Sequence, residues 1–256
     1  MDAPSSHVVL IPSYNTGAKL LETVRDARRF HDAVWVVIDG STDGSAQALR
    51  AMARGDAGIR VMELARNQGK GAAILHGLIE AVANGYTHVL TMDSDGQHPA
   101  PMIPDYIALS RAHPGALILG KPVFDRTAPP ERVIGRRICN WWVNLETLHA
   151  GIGDSLFGMR VYPARPLLDV MQSHLTMRRF DFDAESAIRL VWRGMRPLNI
   201  DTPVRYFTVE EGGVSHFNYL RDNLLLTGMH LRLLLGFLLR LPWLLVRRLR
   251  LSAAGN

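Results

Sequence analysis

Apolar residues come in short runs that stop at polar turns, and helical spacing follows each turn. Val8-Val9-Leu10-Ile11 ends at Pro12, and Leu20, Leu21, Val24, Ala27 and Phe30 then recur at roughly helical intervals. The run predicts a strand buried on both faces and the recurrence predicts an amphipathic helix. Residues 34–38 repeat the strand signal and stop at Asp39-Gly40-Ser41-Thr42-Asp43-Gly44, after which Ala46, Leu49 and Met52 mark another helical face. A third strand is predicted at 59–64, a helix at 71–83 and a fourth strand at 88–92. Beyond Asp95 the alternation loosens, to a strand at 116–119, a helix at 133–148, a strand at 156–162, helices at 163–172 and 184–193, and a last strand at 204–207. Strands alternating with helices predict an α/β fold, a mainly parallel mixed sheet with helices on both faces. In such sheets ligands sit outside the carboxyl ends of the strands.

At 256 residues the chain suffices for a full core, and no low-complexity linker divides it. Cys139 is the one cysteine, which rules out an internal disulfide and is consistent with a reducing compartment; beside Ile138 and Trp141 it reads as a small core residue. The N-terminus, Met1-Asp2-Ala3-Pro4-Ser5-Ser6, has no basic patch and does not read as a signal peptide. The formal charge is +5, and six arginines against one acid, Asp222, place all of that excess from residue 221 onward. Elsewhere the charges cancel and no basic and aromatic stripe forms, so nucleic acid is not an expected partner.

The chain therefore divides into an α/β domain at 1–220 and a basic, leucine-rich tail at 221–256. On a helix, Arg221, Arg232, Arg240, Arg247 and Arg250 share one side and leave a broad leucine face. This pattern predicts a helix lying in a membrane interface, with arginines toward anionic headgroups and leucines in the acyl boundary. A spanning helix would carry Arg232, Arg240 and Arg247 through hydrocarbon at about 2.5–3.5 kcal/mol each near its centre, and Pro242 interrupts the run. The alternative is a helix packed on the protein's own core or on a dimer partner.

Candidate chemistry lies in the loops after the strands. Asp93 and Asp95 follow the run Val89-Leu90-Thr91-Met92; residues i and i+2 of an extended segment point the same way, so both carboxylates can reach one hard cation. Gln97 continues the spacing. A short Asp-x-Asp alone is more often a solvated acidic turn, because the pattern is short and common. Pro12-Ser13-Tyr14-Asn15 offers a ring and amides for a base or ribose, and Asp39 offers a carboxylate at the end of its strand. Arg66-Asn67-Gln68-Gly69-Lys70-Gly71 presents amides, a cation and a helix start, all suited to phosphate. It is no Walker loop, and no G-x-G-x-x-G follows the first strand, so a nucleotide with a divalent ion is favoured over a dinucleotide cofactor.

Together, Ile11-Pro12-Ser13-Tyr14-Asn15, Ile38-Asp39-Gly40-Ser41-Thr42-Asp43-Gly44, Asn67-Gln68-Gly69-Lys70-Gly71 and Met92-Asp93-Ser94-Asp95-Gly96-Gln97-His98-Pro99 resemble the family 2 glycosyltransferases of GT-A fold. Within them the chain is most similar to the branch of dolichol-phosphate mannose synthases and polyprenyl-phosphate glycosyltransferases. Asp154 to Tyr162, and more weakly Phe182 to Gly194 with Pro203-Val204, extend the likeness to about residue 217. The resemblance implies that Pro12, Tyr14, Asn15 and Asp39 hold the nucleoside. It implies that Asn67, Lys70, Asp93, Ser94 and Lys121 also contact the nucleotide-diphospho-sugar, and that Asp93, Asp95 and Gln97 hold Mg²⁺ or Mn²⁺. It further implies an inverting transferase at the cytoplasmic face of the inner or plasma membrane, acting on a lipid or a polyprenyl phosphate. The chain departs from that branch at Gly120-Lys121, and at Glu210 and His216 around Gly213-Val214-Ser215, where phosphates would be gripped.

Cleaving a sugar from a diphosphate leaves charge on the departing oxygens, so a cation placed there beforehand contributes most, and Asp95 is a catalytic candidate on that ground. A hydroxyl acceptor needs a carboxylate base whereas an ionised phosphate does not. Asp154 is the first candidate base, unless it is a structural ion-pair partner of Arg160; Asp183 and Glu185 are its rivals, with 180–183 alternating like a strand or loop edge. His98 reads as a hydrogen-bonding loop residue and His216 equally as that or a ligand. Competing functions are a membrane-bound nucleotide-sugar-binding protein without transferase activity, and a sugar nucleotidyltransferase, which would be expected to place a glycine-rich basic loop after the first strand.

Overall fold

The computed structural model describes residues 6–124, 130–204 and 219–254. Its elements, in chain order, are β1 (His7–Ser13), α1 (Ala18–Phe30), β2 (Val34–Asp39), α2 (Ser45–Ala53), β3 (Ile59–Leu64), α3 (Lys70–Ala83) and β4 (His88–Thr91). There follow a short 3₁₀ turn, α4 (Ile103–Ala112), β5 (Leu117–Phe124), α5 (Pro130–Glu146), β6 (Arg160–Pro163), α6 (Ala164–Ser173), α7 (Phe182–Trp192), β7 (Pro197–Val204) and α8 (Tyr219–Ala254). The strands form one sheet in the order β3-β2-β1-β4-β6-β5-β7. β6 runs antiparallel to β4 and β5, and the remaining pairs are parallel.

Every residue of β1 and β2 is buried, the reason their sequences are near-continuous apolar runs. Two cores lie on the sheet's two faces. One joins Val9, Ile11, Val36 and Leu90 to Leu20 and Val24 of α1, Leu49 of α2 and Ile103 and Tyr106 of α4. The other joins Val8, Leu10, Val37 and Val89 to α3, α5, α6, α7 and α8. Register aligns the functional ends: Ser13 faces Ile38 across β1 and β2, and Leu10 faces Thr91 across β1 and β4. The segments after β1, β2 and β4 therefore open on the same rim.

Several boundaries differ from the sequence pattern. The last described strand lies at 197–204 and pairs along β5 over its whole length; of the strand expected at 204–207, residues 205–207 fall outside the described residues. The strand expected at 156–162 contracts to β6, because 154–158 are held as a loop by side-chain bonds. Residues 180–181 form the turn before α7 and 182–183 its first two residues, not a strand edge. Asp181 accepts the amides of Met177 and Arg179 (3.3 and 2.9 Å) and so fixes the turn before the helix.

The tail is the single helix α8, long and apolar enough to cross a membrane by length and composition. It lies partly on the protein: Met229, Leu233, Phe237 and Leu244 are buried in the core. Its arginines turn toward the protein, contrary to the arrangement expected at an anionic surface. Arg232 bonds Glu185 (2.7 Å), the Arg240 guanidinium stacks over Trp192 (5.0 Å), and Arg247 bonds the carbonyls of Val191 (2.9 Å) and Gly194 (2.7 Å). The carbonyls at the end of α7 carry the negative end of its dipole and have lone pairs to spare, Val191 O accepting the Gly194 amide (2.9 Å) as well as Arg247, so they attract these cations. Leu224, Leu231, Leu235, Leu238, Leu239, Trp243 and Leu249 are left exposed. The side chain of Arg250 lies outside the described residues.

Candidate active site

One cavity of about 1210 Å³ opens at the rim where β1, β2 and β4 end. Pro12, Tyr14, Asp39, Asn67, Lys70, Asp93, Ser94, Asp95, Gln97 and Asp183 all line it. Ten of the residues singled out in the sequence thus come together from five separate segments. Its far wall is apolar, built by Ile134, Ile138 and Trp142 of α5 and Leu226 and Leu231 of α8.

The rim is stiffened by local chemistry. Both oxygens of Asp39 accept backbone amides, from Gln68 and Gly69 at 2.7 Å each, and this draws the loop before α3 against β2. Burial raises the Asp39 carboxyl above its ordinary range, although the two amides and Arg179 oppose that. Gly40 is required there: its φ is +68° and a Cβ would stand 2.5 Å from the backbone of Arg66 and Asn67. Ser94 bonds Thr16 across the rim at 2.8 Å.

Lys70 is the hub of the charged half. Its Nζ lies 2.7 Å from Asp93 Oδ1 and 2.7 Å from Asp183 Oδ2. Burial alone would lower the ammonium's affinity for its proton, but the charges of Asp183 and Asp93 outweigh it and raise that affinity. Asp93 is held below its ordinary range: burial raises it, and Lys70 with its neighbours overcomes that. Asp95 is pushed up by burial and then by the charge of Asp93. His98 Nδ1 accepts the Asp93 amide (2.9 Å), and burial takes its ring down to about 4, so it is a neutral loop brace. Gly158 leaves room for this cluster, since a Cβ there would stand 2.6 Å from Lys70 Nζ.

The donor set suits a hard dication. Two carboxylates stand together here, Asp95 raised by burial and then by the charge of Asp93, and hard cations favour such oxygens. Among the described residues no three His, Cys, Asp or Glu side chains gather into a metal cage. A cation here would be held by Asp93 and Asp95, with Gln97 beside them, and completed by substrate oxygens and water, an arrangement Mg²⁺ commonly accepts.

Three residues do not come into the cavity. Asn15, in the left-handed region (φ 46°), spends its side-chain oxygen on the Thr42 amide (2.7 Å) and ties two loops together. Lys121 is exposed and faces Asp201 at 3.4 Å. Asp154 does not line the cavity: its Oδ1 accepts Arg136 and the amides of Leu156 and Phe157, and its Oδ2 lies 3.4 Å from Asn140. That corrects the reading of Asp154 as first candidate base, because the carboxylate is buried, paired with Arg136 and away from the cavity. Its ion-pair partner is Arg136 and not Arg160, which is buried and bonds the carbonyls of Phe157, Asp183 and Asp154. Glu185 is bound by Arg189, Arg232 and Thr176. Glu210 and His216 lie outside the described residues.

Sequence reasoning missed Arg136, Arg179, Trp142 and His230, all lining the cavity. His230 joins α8 to α5: its Nε2 is 3.4 Å from Cys139 Sγ, and its Nδ1 is 3.1 Å from Glu146 Oε2. A histidine in a leucine-rich helix was the available signal for that contact.

A mixed sheet with carboxylates and a lysine at its rim, beside a cavity with one charged and one apolar half, defines a GT-A glycosyltransferase. The chain belongs to glycosyl transferase family 2, whose family model matches residues 8–168. It is 28% identical over 224 residues to a polyprenol monophosphomannose synthase of Mycolicibacterium smegmatis, covering 81% of this chain and 79% of that protein. Its fold matches S. aureus TarS 1–349 in complex with UDP-GlcNAc (TM-score 0.56, 19% identity, 84% of this chain). It also matches the mannosyltransferase PcManGT from Pyrobaculum calidifontis in complex with GDP-Man and Mn²⁺ (TM-score 0.54, 20% identity, 79% of this chain). The chain spans 60% and 57% of those two chains' own lengths.

Proposed function

We propose that this glycosyltransferase moves a sugar, with inversion, from a nucleotide-diphospho-sugar to a lipid at the cytoplasmic face of the inner or plasma membrane. The observation that carries the reading is the continuity of one cavity from the Lys70, Asp93 and Asp95 cluster to an apolar wall made by α5 and α8. Ile134 and Ile138 on the cavity wall, and Trp141 beside them, are exposed together with the leucines of α8. An apolar surface this extensive beside a site marks a membrane contact. Residues 1–220 carry the chemistry and 221–256 seat it on the lipid, by leucine burial rather than by the arginines.

In this mechanism Pro12, Tyr14 and the Asp39 rim receive the nucleoside, while Asn67, the start of α3 and Lys70 face the diphosphate. Asp93 and Asp95 would hold Mg²⁺ or Mn²⁺, which would supply charge neutralisation for the departing diphosphate. The exposed share of Asp93, about a third of its side chain, leaves it open on the substrate side while Lys70 fixes the other. The relatives support this reading: the family match, the mannose synthase, and neighbours that bind UDP-GlcNAc or GDP-Man.

The test is a thermal-shift screen of UDP-, GDP- and dTDP-sugars with and without Mn²⁺, followed by transfer of labelled sugar to lipid extracts. Asp95→Ala should abolish metal-dependent transfer and leave the melt intact. Retained turnover in a folded Asp95→Ala protein would remove the metal assignment.

A further inference from the structure

Lys121, expected among the groups that grip phosphate, stands outside the cavity against Asp201, so the donor needs another cation. Among the described residues the lysines and arginines lining the cavity are Lys70, Arg136, Arg179 and Arg221. Lys70 is shared between Asp93 and Asp183 at 2.7 Å each, Arg136 lies 2.7 Å from Asp154, and Arg221 lies 2.9 Å from Asp222. Arg179 is half-buried and forms no ion pair with any described residue. Its charge reaches Asp39, whose two oxygens are already taken by the amides of Gln68 and Gly69.

The turn before α7 fixes where Arg179 stands. Met177 is left-handed (φ 63°), Asp181 accepts the amides of Met177 and Arg179, and the Arg178 carbonyl accepts the amide of Ala72 (3.0 Å) in the first turn of α3. The two segments are pressed together so closely that a Cβ at Gly71 would overlap the Met177 carbonyl oxygen, and one at Gly69 would stand 2.7 Å from Arg179 Cγ. The turn therefore takes one of the helix-start amides that suit a phosphate and brings a guanidinium to the same place. A guanidinium presents a planar fork of donors that matches two phosphate oxygens at once, which an ammonium cannot do.

Resting on the transferase reading above, we propose that Arg179 binds the diphosphate of the donor, beside the first turn of α3. Four carboxylates, Asp39, Asp93, Asp95 and Asp183, line the same cavity, so an anionic donor meets repulsion there that this guanidinium offsets. A free nucleoside diphosphate carries more negative charge than its sugar-linked form, and Arg179 accordingly holds the leaving group more strongly than the intact donor.

The experiment titrates the full chain in detergent, with Mn²⁺ present, as wild type, Arg179→Gln and Arg179→Lys. UDP, GDP and dTDP are followed by calorimetry, and uridine, guanosine and thymidine by ligand-observed NMR. For the nucleotide that the wild type binds, Arg179→Gln should weaken the diphosphate by about 10–100-fold and leave the matching nucleoside within about twofold, with Arg179→Lys between wild type and Arg179→Gln. An equal loss for nucleoside and diphosphate places Arg179 on the base or ribose and overturns the assignment, as does an unchanged diphosphate affinity in folded Arg179→Gln; both leave the transferase reading standing. A wild type that binds none of the three diphosphates overturns both. Should Arg179→Gln fail to fold, Arg179→Lys decides: it keeps the charge and loses the fork, so the diphosphate should weaken by about threefold or more with the nucleoside unaffected, and an unchanged diphosphate affinity overturns the assignment.

Discussion

Replacing Lys70 by methionine tests whether the charged half of the site is built on one ammonium. Lys70 is 11% exposed, 2.7 Å from a carboxylate of Asp183 that is 4% exposed and from one of Asp93 that is 33% exposed. Removing one partner of a buried pair costs about 3–5 kcal/mol, because the other charge is left uncompensated. The Asp183 contact should supply most of this, since the half-solvated Asp93 is screened. The loss near neutral pH should therefore be roughly 3 kcal/mol or more. Its pH dependence has a definite sign. Asp93 has its folded value depressed to about 2 from 3.8, so its pairing stabilises fully above the upper value and fades as pH falls toward the lower. The gap between wild type and Lys70→Met should accordingly narrow on acidification. Urea unfolding across that range measures it. Mn²⁺ should stabilise the variant by mass action, about 2.7 kcal/mol at a hundredfold excess over its dissociation constant. A loss below about 1 kcal/mol near neutrality, or a gap that ignores pH, would refute the hub. Gly158→Ala, whose methyl group would meet Lys70 Nζ, should give a smaller loss of the same pH form.

Leu235, Leu238 and Leu239 are 66%, 53% and 84% exposed; changing all three to serine should weaken binding to vesicles by about a hundredfold or more, at roughly 1–2 kcal/mol each. Because the arginines are engaged on α7, co-sedimentation of the wild type should show little dependence on salt or anionic lipid; a steep salt dependence would return the arginines to the surface. Burial lowers His7 from 6.5 to about 4, so its neutral form stabilises fully above the upper value and that contribution, at most about 3 kcal/mol, is lost as pH falls through the window. His7→Gln should flatten the acid limb of the melting curve, and an unchanged slope would show that other groups set it. Burial lowers His230 too, but Cys139 and Glu146 outweigh it and raise the ring to about 9, so this link is complete below 6.5 and lost as pH rises through the upper value. Proteolytic release of α8 should grow with pH over that range in the wild type and be pH-independent in Glu146→Gln.

Much of the donor side was legible because its information is local. A strand buried on both faces needs an unbroken apolar run, and an acid where that run stops can only lie on the rim; Asp39, Asp93 and Asp95 are placed by that logic alone. Lys70 was legible as a phosphate-facing cation before a helix, but its neighbours were not. Asp183 comes to it from 113 positions away. The pairing of Asp154 with Arg136 rather than Arg160 follows from how α5 crosses the loop at 154–158, which no spacing encodes.

The amino-acid order by itself determined the layered α/β plan, the rim acids and the two-sided character of the tail, since periodicity and run length act residue by residue. Only the folded chain decided which side of α8 faces inward. Either side was chemically competent, leucines to a core or arginines to acceptors, and the choice fell to Glu185 and the carbonyls of Val191 and Gly194 at the end of α7. Those groups satisfy the arginines and leave the leucines facing outward, beside the cavity that α8 helps to wall.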